Sequence, residues 1–183
     1  MPTVFTHALA GLALAPLAPR AIPRGRLALA LAFASILPDV DVLTFALGIP
    51  YAHDFGHRGF SHSLAFALLA GWLVARLAFS GVGLTTRAWW KVFALLSLAA
   101  ASHGLFDAMT NGGLGIGFLL PFDSTRFFLP WRPLQVSPIG LSAFVSGLGA
   151  SALVSELKYL WLPIAVAFLI AGRVPWSRKG VGQ

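Results

Sequence analysis

Seven ionisable side chains sit at or near the ends of apolar stretches in this 183-residue chain: His7, Asp39, Asp41, His57, His62, His103 and Asp107. Imidazole and carboxylate groups suit zinc, manganese or iron. The chain has no cysteine, so any metal must be held by His, Asp or Glu. His103 and Asp107 lie four apart, so on a helix they project from one face and can meet on one ion. In His57-Arg58-Gly59-Phe60-Ser61-His62-Ser63 the glycine permits a turn, and Ser61 is suited to cap a helix starting at His62. A loop and a first helical turn would then present two imidazoles together. Leu37-Pro38-Asp39-Val40-Asp41 sets two carboxylates two positions apart, about 200° from each other on a regular helix. Pro38 disturbs the local turn, which leaves their convergence open. Asp39 and Asp41 are candidates for the catalytic base or a bridge between ions as well as for ligands.

The chemistry such a set could perform is metal-assisted hydrolysis. A site with open positions activates water near neutral pH, and two ions about 3.5–4 Å apart could clamp both oxygens of a phosphoester. Arg58, Arg126 and Arg132 fall in the connections between apolar stretches at 49–61 and 111–138. Guanidinium groups grip phosphate in bidentate fashion, so these three are the candidate substrate-binding residues. The competing reading is that they snorkel to lipid headgroups. A lone histidine on an apolar helix is more often an interior hydrogen-bonding residue, and a His/Asp pair four apart can be an interhelical hydrogen bond. The case for a site therefore rests on the group. His53 and Asp54 are read as solvated, and Glu156 as an interfacial partner of Lys158.

The elements that must position these residues follow from composition. The chain is 57% hydrophobic and 10% charged, with a mean hydropathy of +0.80. Soluble domains run at about 45–50% apolar and about 25% charged. A 19.4 kDa core cannot hide so much apolar surface, which excludes the soluble globular class. We read an all-α, polytopic membrane protein, one domain over 1–183, with about five apolar helices in one bundle: 3–19, 27–48, 62–80, 88–110 and 139–172. Spanning helices need about 20 apolar residues, so the first is short and the last is one span with an interfacial helix, or two short helices.

Basic residues cluster at Arg20, Arg24 and Arg26, at Arg76, Arg87 and Lys91, and at Arg173, Arg178 and Lys179. Placing all three clusters on the cytoplasmic face satisfies the positive-inside tendency and brings the seven candidate ligands to the outer end. Ionisable groups within spans cost about 2.5–3.5 kcal/mol each on insertion scales unless they pair or line a cavity, so a shared site explains them best. The net charge of +7 is then a topology signal. Membrane lipid is the expected partner and nucleic acid is not. Trp89, Trp90 and Trp176 stand where interfacial belts are expected, and Gly112-Gly113-Leu114-Gly115-Ile116-Gly117 reads as a flexible outer loop.

Thr6-His7, Leu37-Pro38-Asp39-Val40-Asp41, His57-Arg58-Gly59-Phe60-Ser61-His62-Ser63 and His103-Gly104-Leu105-Phe106-Asp107 occur in the order found in the YdjM-like membrane-bound metal-dependent hydrolases. Pro121-Phe122-Asp123, Arg126-Phe127-Phe128-Leu129-Pro130-Trp131-Arg132-Pro133 and Val136-Ser137-Pro138 are also similar to that family. The resemblance implies an inner-membrane hydrolase distantly related to zinc-dependent phospholipase C and P1-type nuclease, in which His7, Asp39 or Asp41, His57 or His62, and His103 with Asp107 fill the places of zinc ligands. By ligand chemistry one or two ions, zinc or manganese, suit the seven residues. The chain lacks a second His-x-x-x-acid helix, which favours one or two ions over three. With the site at the outer interface, a phospholipid or lipid-linked phosphate could reach it sideways from the leaflet and be hydrolysed there. The alternatives are an ion- or proton-coupled transporter and a non-catalytic membrane protein whose metal staples the bundle.

Overall fold

Apolar runs without strand-like alternation fold here into helices. The structure, a computed structural model, describes residues 1–166, among which there are helices and loops but no strand. Trp176, the cluster Arg173, Arg178 and Lys179, and the end of the 139–172 stretch lie outside the described residues. Four helices form the bundle: α1 (Val4–Leu12), α2 (Arg24–Ile36), α3 (Leu64–Ala78) and α4 (Arg87–Ala108). Helix α4 packs against α3 and α2, and α1 packs against α2. Two isolated bridges, Thr110 with Leu134 and Ile116 with Phe127, tie the loops that follow α4.

The helix ends follow local chemistry. Helix α3 begins at Leu64 because Ser63, extended at φ −77° and ψ 158°, accepts a hydrogen bond from the Phe66 amide at 3.0 Å. The cap is thus two residues later than Ser61, and His62 lies in a short 3-10 turn (Phe60–His62) before the helix. Thr86 caps α4 in the same way through the Trp89 amide. Helix α2 changes to a 3-10 helix over Leu37–Leu47, with Pro38 in its first turn, and stops at Gly48, whose φ of 72° suits a residue without Cβ.

By length and composition, Arg24–Leu47 is long and apolar enough to cross a membrane, while Val4–Leu17 and Leu64–Ala78 are apolar but shorter. The all-helical class holds among the described residues. The 139–172 stretch, expected as an interfacial helix with a span or as two short helices, is interrupted among the described residues: a three-residue turn, α5 (Leu141–Ala143), precedes a break at Gly147 with φ 103°, and α6 (Gly149–Glu156) follows and passes into a π turn at Leu157–Trp161.

The bundle is segregated along its length. Leu27 and Leu31 of α2, Val74 and Ala75 of α3, and Trp89, Val92 and Leu96 of α4 form the apolar core at one end. Exposed Arg20, Arg24, Arg26, Arg87 and Lys91 surround that end, with Arg76 half-buried. Trp89 is in this core, stacked on Phe93 at 5.7 Å, so of the two adjacent tryptophans only Trp90 is exposed as an interfacial belt would require. The other end holds the start of α1, the 3-10 extension of α2, the start of α3 and the end of α4, which are the places where the candidate ligands lie.

Close helix approach sets this geometry. A Cβ on Gly71 would fall 2.8 Å from Ser97 Cα, so α3 and α4 meet backbone to backbone, as small residues allow in membrane bundles. Gly71→Leu is expected to destabilise the bundle by about 1–3 kcal/mol through overpacking. Gly25→Ala, at a position with open space around it, should be neutral. Thermal unfolding of both variants in detergent checks the contrast.

Candidate metal centre

Each ligand is aimed by a different local device. In the 3-10 pattern that starts at Leu37, the donor for the Ser35 carbonyl would be Pro38, which has no N–H. His103 Nδ1 takes that carbonyl instead, at 2.8 Å. With Nδ1 donating, the lone pair is left on Nε2, which lies 3.3 Å from Asp39 Oδ1. His103 is also stacked on His7, ring centroids 3.7 Å apart, and set edge-on to His62 at 4.7 Å. Its helical partner Asp107 reaches His7 Nε2 at 3.4 Å with one oxygen and His62 Nε2 at 3.6 Å with the other.

Asp39 and Asp41 approach opposite edges of one imidazole. His62 Nε2 is 3.9 Å from Asp39, and His62 Nδ1 is 3.1 Å from Asp41. The two carboxylates therefore have different surroundings. Asp41 also takes His57 Nδ1 at 2.7 Å, the Arg58 amide at 3.1 Å and the Ser61 hydroxyl, while neither oxygen of Asp39 has a hydrogen-bond partner.

Apart from Trp89 Nε1 and Ser97 Oγ, every buried side-chain polar atom without a hydrogen-bond partner among the described residues belongs to this cluster: both nitrogens of His7, Nε2 of His62 and His103, both oxygens of Asp39 and Asp107, and Arg58 Nε. Buried polar atoms are nearly always satisfied, so such a concentration points to a ligand. Two atoms bound tetrahedrally to one ion at about 2.0–2.2 Å lie roughly 3.4 Å apart, close to the spacings here. His7, His103 and Asp107 form one group with ligand atoms within 4.8 Å of one another, and Asp39, His57 and His62 form a second. Among the described residues the guanidinium paired with these carboxylates is that of Arg58, on Asp107, and the Met1 ammonium also acts on Asp107 and Asp39.

The three candidate substrate arginines are placed differently from one another. Arg58 is fully buried, so it is no surface group for substrate. Its Nε is 3.2 Å from Asp107, Nη1 donates to the carbonyls of Gly112 and Leu114 at 2.9 Å each, and Nη2 donates to Thr110 at 3.0 Å. The turn that makes this possible has its positive φ, 65°, at Arg58 itself and not at Gly59. These contacts correct the reading of the glycine-rich segment as a flexible loop: Gly112 and Leu114 are acceptors for Arg58, and Ile116 is fully buried. Arg126 is half-buried, which pushes its guanidinium below the ordinary value, and it donates to the carbonyls of His57 and His53. Arg132 is exposed and lies over the Phe128 ring at 4.7 Å.

His53 and Asp54 lie outside the cluster. His53 Nδ1 accepts from Phe55 N, and Asp54 accepts from Ser124. Asp123 is fully exposed, its carboxyl held below the usual range by hydrogen bonds from the Thr125 side chain and amide. The sequence reading did not single out the Ser35 carbonyl, Thr110 or the role of Ser61 in holding Asp41. Only Pro38, three residues after Ser35, signals a carbonyl left without a backbone donor.

A bundle of apolar helices with bases at one end and a buried His/Asp cluster at the other defines a membrane protein with a candidate metal centre. The chain matches the YdjM inner membrane protein family over residues 1–180. It is 38% identical over 185 residues to the Inner membrane protein YbcI of Escherichia coli (strain K12), covering 98% of this chain and 100% of that protein. The chain belongs to the YdjM inner membrane protein family. No solved structure matches it, and these matches do not reach the soluble zinc phospholipase C and P1-type enzymes.

Arg58→Ala would strip Asp107 of its buried cation and leave three oxygen acceptors short of a donor, at an expected cost of about 3–5 kcal/mol. Arg132→Ala should stay within about 0.5 kcal/mol of the parent. Equal stability of the two variants in a thermal melt would contradict the buried role of Arg58.

Proposed function

We propose that the protein is a membrane-embedded, divalent-metal-dependent hydrolase acting on a phosphoester at the extracytoplasmic face of the inner membrane. The observation that carries this reading is the convergence of unpartnered imidazole nitrogens and carboxylate oxygens at one end of the bundle. His7, His62, His103, Asp39 and Asp107 would hold the ion, zinc or manganese, with His57 beside them. A bound divalent cation supplies Lewis acidity, polarising a phosphoryl oxygen and acidifying water.

The chain's own residues divide the remaining work. Asp41, with its four donors, orients His57 and His62 as an outer carboxylate does for a metal-ligating histidine. Asp39 is 13% exposed where His7, His62, His103 and Asp107 show none of their side-chain surface. Its two oxygens are buried but accept no hydrogen bond, so it is the carboxylate left free to take a proton. Arg132, exposed in the downstream connection, remains a residue for an anionic headgroup, and Arg126 holds the backbone of the 52–57 loop. A second reading, a metal that only staples the helices, is favoured by the near-complete burial of the other ligands.

Metal analysis of the purified protein with a hydrolysis assay on an aryl phosphodiester tests both. One or two divalent ions per chain are expected, falling to background in His103→Ala, with Asp39→Asn keeping the fold and losing turnover. Metal retained without hydrolysis in the parent would leave the staple, and a parent free of divalent metal would remove both readings.

A further inference from the structure

Glu156 is fully buried, 153 residues from Thr3, and makes no ion pair with Lys158, contrary to the expectation from their proximity. Lys158 is exposed, its ammonium 4.8 Å from the Tyr159 ring. The Glu156 carboxyl instead lies at the start of α1. One oxygen accepts the Thr3 amide at 2.6 Å, and the other accepts the hydroxyls of Thr3 and Thr6, also at 2.6 Å each. Thr6 in turn accepts Trp161 Nε1 at 2.7 Å.

Helix N-termini expose amides that need acceptors, and the first residue before the helix usually provides one. Thr3 occupies that position in α1 without making a side-chain cap. Its hydroxyl is committed to Glu156, and the carboxyl takes the amide. An acid at a helix N-terminus is also favoured by the dipole. Glu156 and Trp161 therefore fix the first turn of α1, which carries Thr6 and, next to it, His7. His7 makes no well-aligned hydrogen bond at either nitrogen, so its ring is held by stacking on His103, by the approach of Asp107 to Nε2 at 3.4 Å and by where the α1 backbone puts it.

We infer that Glu156 is a positioning residue for His7, capping α1 from the far end of the chain. Its functional meaning rests on the metal reading, in which His7 is a ligand. Partners that orient metal ligands are worth about 10–100-fold in affinity.

The test uses the full chain in detergent micelles, with zinc affinity measured by competition against a chromophoric chelator for Glu156→Ala, Glu156→Gln, His7→Ala and the double variant Glu156→Ala/His7→Ala. Glu156→Ala should weaken zinc binding by about 10–100-fold. Glu156→Gln, whose amide oxygen can still accept the Thr3 amide, should recover most of that loss. On the His7→Ala background, Glu156→Ala should add nothing. Fully multiplicative losses, or a Gln variant as weak as the Ala variant, would overturn the inference.

Nuclear magnetic resonance of 15N-histidine-labelled protein without added metal decides it independently. The His7 ring resonances should move in Glu156→Ala and return in Glu156→Gln, and unmoved resonances would refute the positioning role. If the parent takes up no zinc, the metal reading fails while this spectrum still decides the inference. If Glu156→Ala does not fold, Thr6→Val, which removes one donor to Glu156 and the acceptor of Trp161 at constant size, carries the same comparison.

Discussion

Burying carboxylates inside an apolar bundle is the constraint from which the rest of this structure follows. An ionised acid in a low-dielectric interior costs several kcal/mol unless it is paired or hydrogen-bonded. Three of them, Asp39, Asp41 and Asp107, meet at one end of four short helices. One buried guanidinium, a hydroxyl, a backbone amide and four imidazoles are gathered around them. To bring Arg58 in, the chain accepts a left-handed backbone at that residue and folds the 110–114 loop around its other nitrogens. The apolar core at the opposite end and the close α3/α4 contact at Gly71 hold the helices together without any such polar ties.

The satisfaction of these acids is uneven, and the unevenness divides the cluster into two layers. Asp41 is saturated by donors and ties two histidines and a serine to the α2 extension. Asp39 and Asp107 look inward onto imidazole nitrogens that hydrogen-bond nothing. His62 joins the layers, since Asp41 takes one edge of its ring and the other edge faces Asp39 and Asp107. The same histidine is thereby both oriented and presented.

The existence of the cluster was legible in the sequence because ionisable groups are scarce in an apolar chain and expensive where they stand. That argument brings His7, Asp39, Asp41, His57, His62, His103 and Asp107 together, and the structure does so. Their division of labour was not legible. Spacing alone cannot say that Asp41 turns toward four donors and Asp39 toward none, because that depends on a 3-10 register set by Pro38. Arg58 read as an outer group since its acceptors, Gly112, Leu114 and Thr110, lie more than 50 residues away. Glu156 was assigned to Lys158, its neighbour in sequence, for the same reason. Helical class was readable from composition, but hydropathy did not show the break at Gly147.

The bond between Thr3 and Glu156 joins parts of the chain that are made at very different times. At synthesis rates of about 5–20 residues per second, roughly 8–30 s separate the two. Until Glu156 is made, the Thr3 amide and hydroxyl lack the acceptor that they have in the folded chain. The first turn of α1, which carries His7, therefore reaches its final hydrogen bonding only after a residue 153 positions downstream has been added.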